Sequence, residues 1–353
     1  MRNMYLVFFI LVPLVFEAQA ERPGYVTVLL YHRFDESRYP STNISSDMFR
    51  EQLEFLKREG YRVLSMHEFR QLLATGKPFP QKSVLITIDD PYRSIYEHAF
   101  PLLKEFAYPF TLFANTSPLY SESPVYMDWA MLEEIRDWGA TIGNHSHFHP
   151  HMGQPEKGHT PEEYAVWVRK DLKRAQKAFV DHGIDTDVLA YPFGEYNETV
   201  LAIAKELGFE LMFTQDEGGV DEFSDHQLIP RVAIVGANMS LERFTFKLNL
   251  APLHVADVQP EAISLNVSSP EKLSLRLLDP TRYRPGIINM FLSEWDRVDA
   301  VYDAKTGVLS YRPDRPLTRP MNRLIVTAKE REGGHFSMFS RLYFRPYPEW
   351  AEE

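Results

Sequence analysis

Two stretches of the chain bring together groups able to hold a cation or move a proton. In the first, SVLITIDDPYR (Ser83 to Arg93), the apolar run Val84, Leu85, Ile86 and Ile88 ends in adjacent carboxylates, Asp89 and Asp90. Neighbouring carboxylates repel unless a positive charge holds them or one keeps its proton. A metal site or a catalytic pair explains them; a solvated turn is the plainer alternative. The second stretch, GATIGNHSHFHPHM, carries His145, His147, His149 and His151 within seven residues. Neutral imidazole is the commonest metal ligand, and two imidazoles with one carboxylate leave a coordination position open to water. Asp90, two of these histidines and a water make such a site; a polar surface loop is the competing reading. With a cation there, Asp90 stays charged and Asp89 is free to accept a proton. The chain has no cysteine, so any metal is held by His and carboxylate. Zinc is the default, and cobalt, manganese, nickel or iron suit the same donors.

These groups need a scaffold that delivers them to one place. Short apolar segments alternate with helical patterns: YVTVLLYH, the strand ending at Asp89, PFTLFANT, ATIGN, DVLAYPFG, FELMFT and LIPRVAIV are the strands. The intervening helices carry N-cap signals at Ser46, Ser65, Asp128 and Thr160, with Pro161 in the first helical position. A helix through YRSIYEHAFPLLKEF is expected to kink at Pro101. Strand–helix repetition implies parallel strands with helices outside, and seven or so units suit a barrel-like α/β fold. Active sites of such folds lie at the strand C-terminal ends, where Asp89, the histidines and YPFG all fall. Beyond residue 250 the apolar period changes to that of strands separated by Pro, Gly and Asp turns, which predicts a small β-sandwich. The expected division is an α/β unit over residues 21–250, a linker over 251–260 and the sandwich over 261–353.

The first twenty residues have Arg2, an apolar run and Ala18-Gln19-Ala20, the pattern of a secretory signal peptide. Export to the periplasm or beyond follows, with no membrane span after cleavage, because no later stretch is long enough. A formal net charge of -11 excludes nucleic acid as the natural partner.

Asp89 and the histidines also carry a resemblance. Thr87-Ile88-Asp89-Asp90-Pro91 is similar to the Thr-Phe-Asp-Asp-Gly motif of the polysaccharide deacetylases of the NodB-homology type, carbohydrate esterase family 4. His145-Ser146-His147-Phe148-His149 is similar to their His-(Ser/Thr)-x-x-His motif, and Ala190-Tyr191-Pro192-Phe193-Gly194 resembles their third, Arg-x-Pro-Tyr. The resemblance spans roughly residues 25–250. It implies a distorted (β/α)7-type barrel, Asp89 as general base, and Asp90, His145 and His149 as ligands of a divalent metal. It also implies that the Phe193 N–H helps hold the oxyanion. Tyr31-His32 resembles the branch acting on poly-N-acetylglucosamine, whose histidine is the general acid. His147, Tyr191 and Tyr196 are then candidate substrate contacts. The implied activity is removal of acetyl groups from an N-acetylated polysaccharide; O-acetyl esterase activity and a catalytically silent glycan binder are the alternatives. Pro91 departs from the motif glycine, and Ala190 from an arginine that orients the base in many members. Arg231 is the candidate to take over that role.

Overall fold

The computed structural model describes residues 24–345; the expected signal peptide lies outside them. The α/β part is built on β1 (Val26–Tyr31), β2 (Arg62–Leu64), β3 (Ser83–Asp89), β4 (Thr111–Ala114), β5 (Thr141–Asn144), β6 (Val188–Ala190), β7 (Leu211–Phe213) and β8 (Val232–Ala233). These form one parallel sheet in the order β8-β1-β3-β4-β5-β6-β7, with β2 on the first half of the edge of β3. The segment leading into β8 bridges back from Ile229 to Phe213 of β7. The sheet therefore curves round as the expected distorted barrel.

Alternation along the strands sorts the side chains. Val28, Leu85, Phe113, Val188 and Phe213, each from a different strand, pack together inside the curve. Tyr31, Ile86, Ile88 and Leu112 face the other way, into the layer beneath the helices. Among these helices are α1 (Ser46–Arg58), α2 (Met66–Ala74), α3 (Phe100–Phe106), α4 (Trp129–Trp138), α5 (Pro161–Asp181), α6 (Glu198–Glu206) and α7 (Leu241–Leu248). Ser65 and Thr160 close capping boxes with Glu68 and Glu163, and Asp128 caps α4. For α1 the cap is Ser45, one residue before the expected Ser46. Pro101 does not break its helix: a π-helical turn over Ile95–Ala99 precedes α3, placing the proline in the first turn of α3, where its missing N–H costs little.

The second part has two sheets, as expected for a sandwich. Its strands are β9 (Leu250–Pro252), β10 (Val255–Gln259), β11 (Leu273–Leu277), β12 (Tyr283–Leu292), β13 (Asp296–Val298), β14 (Val301–Asp303), β15 (Val308–Tyr311), β16 (Met321–Glu330) and β17 (Phe336–Phe344). One sheet runs β9-β17-β16-β12-β13 and the other β10-β11-β15-β14. Residues 251–260, expected as a linker, instead supply strand to both sheets. Their Pro and Asp suggested a loop, but pairing with β17 and β11 satisfies the backbone. The sandwich also shares a core with the barrel: Ile263, Leu342 and Phe344 pack with Met152, Tyr164, Tyr191 and Tyr196. Gly153 is required there, because a Cβ would stand 2.2 Å from the Phe344 ring.

Candidate metal centre and active site

Strand register gathers the reactive groups before any loop is considered. Tyr31 pairs with Ile88, and Asp89 pairs with Phe113, which pairs with Gly143. By the two-residue period, His32, Asp89, Asn115 and His145 all emerge on the inner side at the C-terminal rim. Gly143 permits this, since a Cβ there would lie 2.3 Å from the Phe113 ring.

Asp89 is fully buried and accepts two hydrogen bonds from Arg231, at 2.6 and 2.7 Å. Burial alone would raise its pKa; the Arg231 guanidinium, with help from His145, outweighs it and holds the carboxyl at about 2. This forked pairing is the strong form of a charge-assisted hydrogen bond. Arg231 is itself fully buried and donates from Nε to the Thr214 carbonyl at 2.8 Å. Arg231 thus stands where the sequence lacks an arginine at Ala190.

Asp90 leaves the strand in the left-handed region, φ 67°, while its N–H still bonds the Phe113 carbonyl at 2.9 Å. Because the left-handed residue is Asp90, Pro91 needs no positive φ, and the departure from glycine is accommodated. Ser146, His149 and Phe193 are left-handed too. Four such non-glycine residues around one point are the kind of strain that functional sites hold.

The histidine loop is pinned from several sides. Ser146 N–H bonds Asn144 Oδ1, His149 N–H bonds Ser146 Oγ, and the Ser146 and His147 carbonyls accept from Thr116 and Ser117. Asp171, reaching from α5, accepts the N–H groups of His147 and Phe148 at 2.8 and 3.2 Å. His145 Nδ1 bonds the Ala190 carbonyl at 2.7 Å; a carbonyl only accepts, so Nδ1 carries the proton and Nε2 presents a lone pair. Burial, the largest influence, pulls the His145 pKa down to about 4, which keeps the ring neutral. Its Nε2 lies 3.2 Å from His149 Nε2 and 4.0 Å from Asp90 Oδ1, and His149 Nε2 lies 3.6 Å from the same oxygen. One ligand atom from each of Asp90, His145 and His149 falls within 4.8 Å of the others. Two imidazole nitrogens and a carboxylate oxygen on one point fit a divalent cation.

The other expected site residues divide. His32 feels the charges of Asp89, Asp90, Arg231 and His149; burial lowers its pKa, and its Nδ1 has no hydrogen-bond partner. Phe193 is 39 % exposed, stacks 4.0 Å from the His151 ring and meets His149 edge-on. His151 in turn bonds Glu195 at 2.8 Å. Tyr191 and Tyr196, expected to line a groove, are buried in the core shared with the sandwich. Their hydroxyls go to Met212 Sδ and the Gln227 carbonyl, and to Asp216 Oδ2. His147, also expected as a substrate contact, is 4 % exposed and bonded to Thr116 Oγ1 at 2.7 Å. Each is spent on packing and internal hydrogen bonds. Sequence reasoning passed over Asn115, Asp171, Glu195 and Tyr92. Asn115 is 6 % exposed, with Oδ1 unpartnered. Burial and then the Asp90 charge raise the Tyr92 pKa, so its hydroxyl remains a donor toward Asp90. A strand-end position inside the rim is the one signal that could have singled out Asn115.

Residues 76–212 match the family model for polysaccharide deacetylase. A poly-beta-1,6-N-acetyl-D-glucosamine N-deacetylase of Staphylococcus aureus (strain MRSA252) is 25 % identical over 221 residues, 61 % of this chain and 76 % of the relative. Among solved structures, the Streptococcus pyogenes deacetylase PplD in complex with acetate superposes with a TM-score of 0.57 at 25 % identity, covering 64 % of this chain and 99 % of that one. IcaB from Ammonifex degensii gives 0.53 at 28 % identity, covering 60 % and 92 %.

Proposed function

We propose that this chain, which carries a polysaccharide deacetylase domain, is a metal-dependent hydrolase removing acetyl groups from the N-acetylated sugars of an extracellular or cell-envelope polysaccharide. Poly-N-acetylglucosamine or a chitin-like polymer is the substrate class. The observation that carries the reading is the convergence of Asp90, His145 and His149 beside an Asp89 locked to Arg231. The relative acting on poly-beta-1,6-N-acetyl-D-glucosamine supports the choice of substrate. Export to the periplasm or medium is part of the proposal; among the described residues no helix is long and apolar enough to cross a membrane.

Asp90, His145 and His149 would hold the cation, zinc by default, with cobalt, manganese, nickel or iron compatible. When bound, such a cation supplies Lewis acidity toward the acetyl carbonyl and acidifies water. Asp89, ionised by Arg231, takes the proton from the water that attacks the carbonyl carbon. Its Oδ2 lies 3.7 Å from His145 Nε2, so base and ligands share one small space. The Phe193 N–H steadies the tetrahedral oxyanion. His32, at the end of the neighbouring strand β1, delivers a proton to the departing amine. Acetate and a free amino sugar in the polymer result.

The test measures acetate release from N-acetyl and O-acetyl glycans side by side, after chelation and reloading with each metal. Asp89→Asn is expected to keep its metal and lose about 10²- to 10⁴-fold in kcat. Asp90→Ala and His145→Ala are expected to lose metal and activity with the fold retained. A wild type that binds glycan yet releases no acetate under any metal would sink the reading.

A further inference from the structure

An unbroken line of hydrogen bonds joins the β-sandwich to the catalytic pair. Arg323, on β16, reaches across to the barrel and donates from Nε to Asp216 Oδ1 at 2.6 Å. Oδ2 of the same carboxylate accepts from the Tyr196 hydroxyl at 2.5 Å. Asp216 is only 4 % exposed, so its charge depends on these donors. The Asp216 carbonyl accepts the Arg231 N–H at 3.0 Å. The Asp216 N–H donates to Thr214 Oγ1 at 3.1 Å, and the Thr214 carbonyl accepts Arg231 Nε at 2.8 Å. Arg231 is therefore held at its backbone and at Nε by the short segment that Asp216 anchors, and its remaining nitrogens hold Asp89. The Arg323 charge also acts on Glu195, whose carboxylate bonds His151 beside Phe193.

We infer that Arg323 is a positioning residue for the Asp89–Arg231 pair, and that the sandwich is a working part of the active site. The inference rests on the reading of Asp89 as general base. Its physical basis is the cost of stranding a buried carboxylate. Without Arg323, Asp216 keeps one side-chain donor, and the segment 214–216 must shift to hydrate it. Arg231 is bonded to that segment twice, so its fork on Asp89 shifts too. A small misplacement of a catalytic group is felt in turnover, whereas ground-state binding of a glycan that Arg323 does not touch is spared.

The experiment uses the full chain with N-acetylglucosamine oligomers, metal analysis, thermal melting and hydrogen exchange at the Arg231 amide. Arg323→Gln is expected to lower kcat about tenfold or more, with KM within about twofold and metal content unchanged. Arg323→Lys should recover part of the loss. Arg276→Gln, which breaks an exposed pair with Asp257 on the sandwich surface, should leave kcat alone. Exchange at Arg231 should accelerate in folded Arg323→Gln. If Arg323→Gln does not fold, Tyr196→Phe removes the other donor to Asp216 while keeping the ring, and the same kcat loss and faster exchange are expected. A folded variant with wild-type kcat, a rise in KM alone, or unchanged Arg231 exchange overturns the inference. A wild type inert on every acetylated glycan fails the deacetylase reading instead; faster Arg231 exchange in Arg323→Gln then still upholds the coupling.

Discussion

Asp89 and Asp90 are adjacent in sequence and both reach His145, yet their other partners differ. Asp89 points inward to Arg231, and Asp90 points to the imidazoles. In the proposed function it is their partners, rather than their own chemistry, that separate a base from a ligand. Asn115 belongs to the same rim and has no such partner for its Oδ1. A buried, unpaired carboxamide oxygen is costly unless something fills its need. An acetamido N–H or a sugar hydroxyl is the donor that a glycan brings. Asn115→Ala is expected to keep the fold and the metal and to lower kcat/KM about tenfold, the worth of one good hydrogen bond. Steady-state kinetics beside a melting curve decide it, and an unchanged kcat/KM removes Asn115 from the substrate's path.

At the scale of elements, α5 does more than cover the barrel. Asp171 is a buried polar residue on its inner face, and it accepts two N–H groups of the histidine loop. The helix thereby sets the shape of the loop that carries the candidate ligands His145 and His149. Asp171→Ala leaves those two donors unpaired. The expected cost is about 1–3 kcal/mol of stability, together with about tenfold weaker metal binding from a looser loop. Urea unfolding and metal titration measure the two separately. Wild-type values in both would show that the loop holds its shape without the helix. The π-helical turn ahead of Pro101 is an accommodation of the same kind, letting a proline enter a helix packed under β3 and β4.

At the scale of the molecule, barrel and sandwich are joined by shared core and by charge. His254, between β9 and β10, pairs with Asp221 of the barrel. The hydrogen bond to Asp221 raises the His254 pKa; burial and Arg282 oppose it, and Asp221 and Glu222 add to it through their charge. The folded chain therefore binds this proton more tightly than the unfolded chain. The pair's stabilisation is complete below the ordinary histidine pKa and is lost as pH rises through the elevated folded value. Melting temperatures of wild type and His254→Asn are expected to differ most at pH 5.5–6 and to converge at alkaline pH, as about one ionisation's worth of linkage predicts. A gap that widens toward alkaline pH would show that the pair does not join the two parts in its charged form.

The candidate ligands and the candidate base were legible in the chain because strand ends and short loops carry them in local order: a strand that stops at Asp89-Asp90, another that stops before His145. The barrel was legible for the same reason, since alternating apolar strands and capped helices specify their own layers. Arg323 at Asp216 was not, being 107 residues removed from the group it holds, and Arg231, 142 residues from Asp89, was a candidate that only packing placed there. Nor was the burial of Tyr191, Tyr196 and His147, since the groups that cover and bond them come from distant segments. A sequence states which groups are present and which segments will pair. Which distant charge neutralises which buried one is settled only when packing removes water from both and leaves each a single partner within reach.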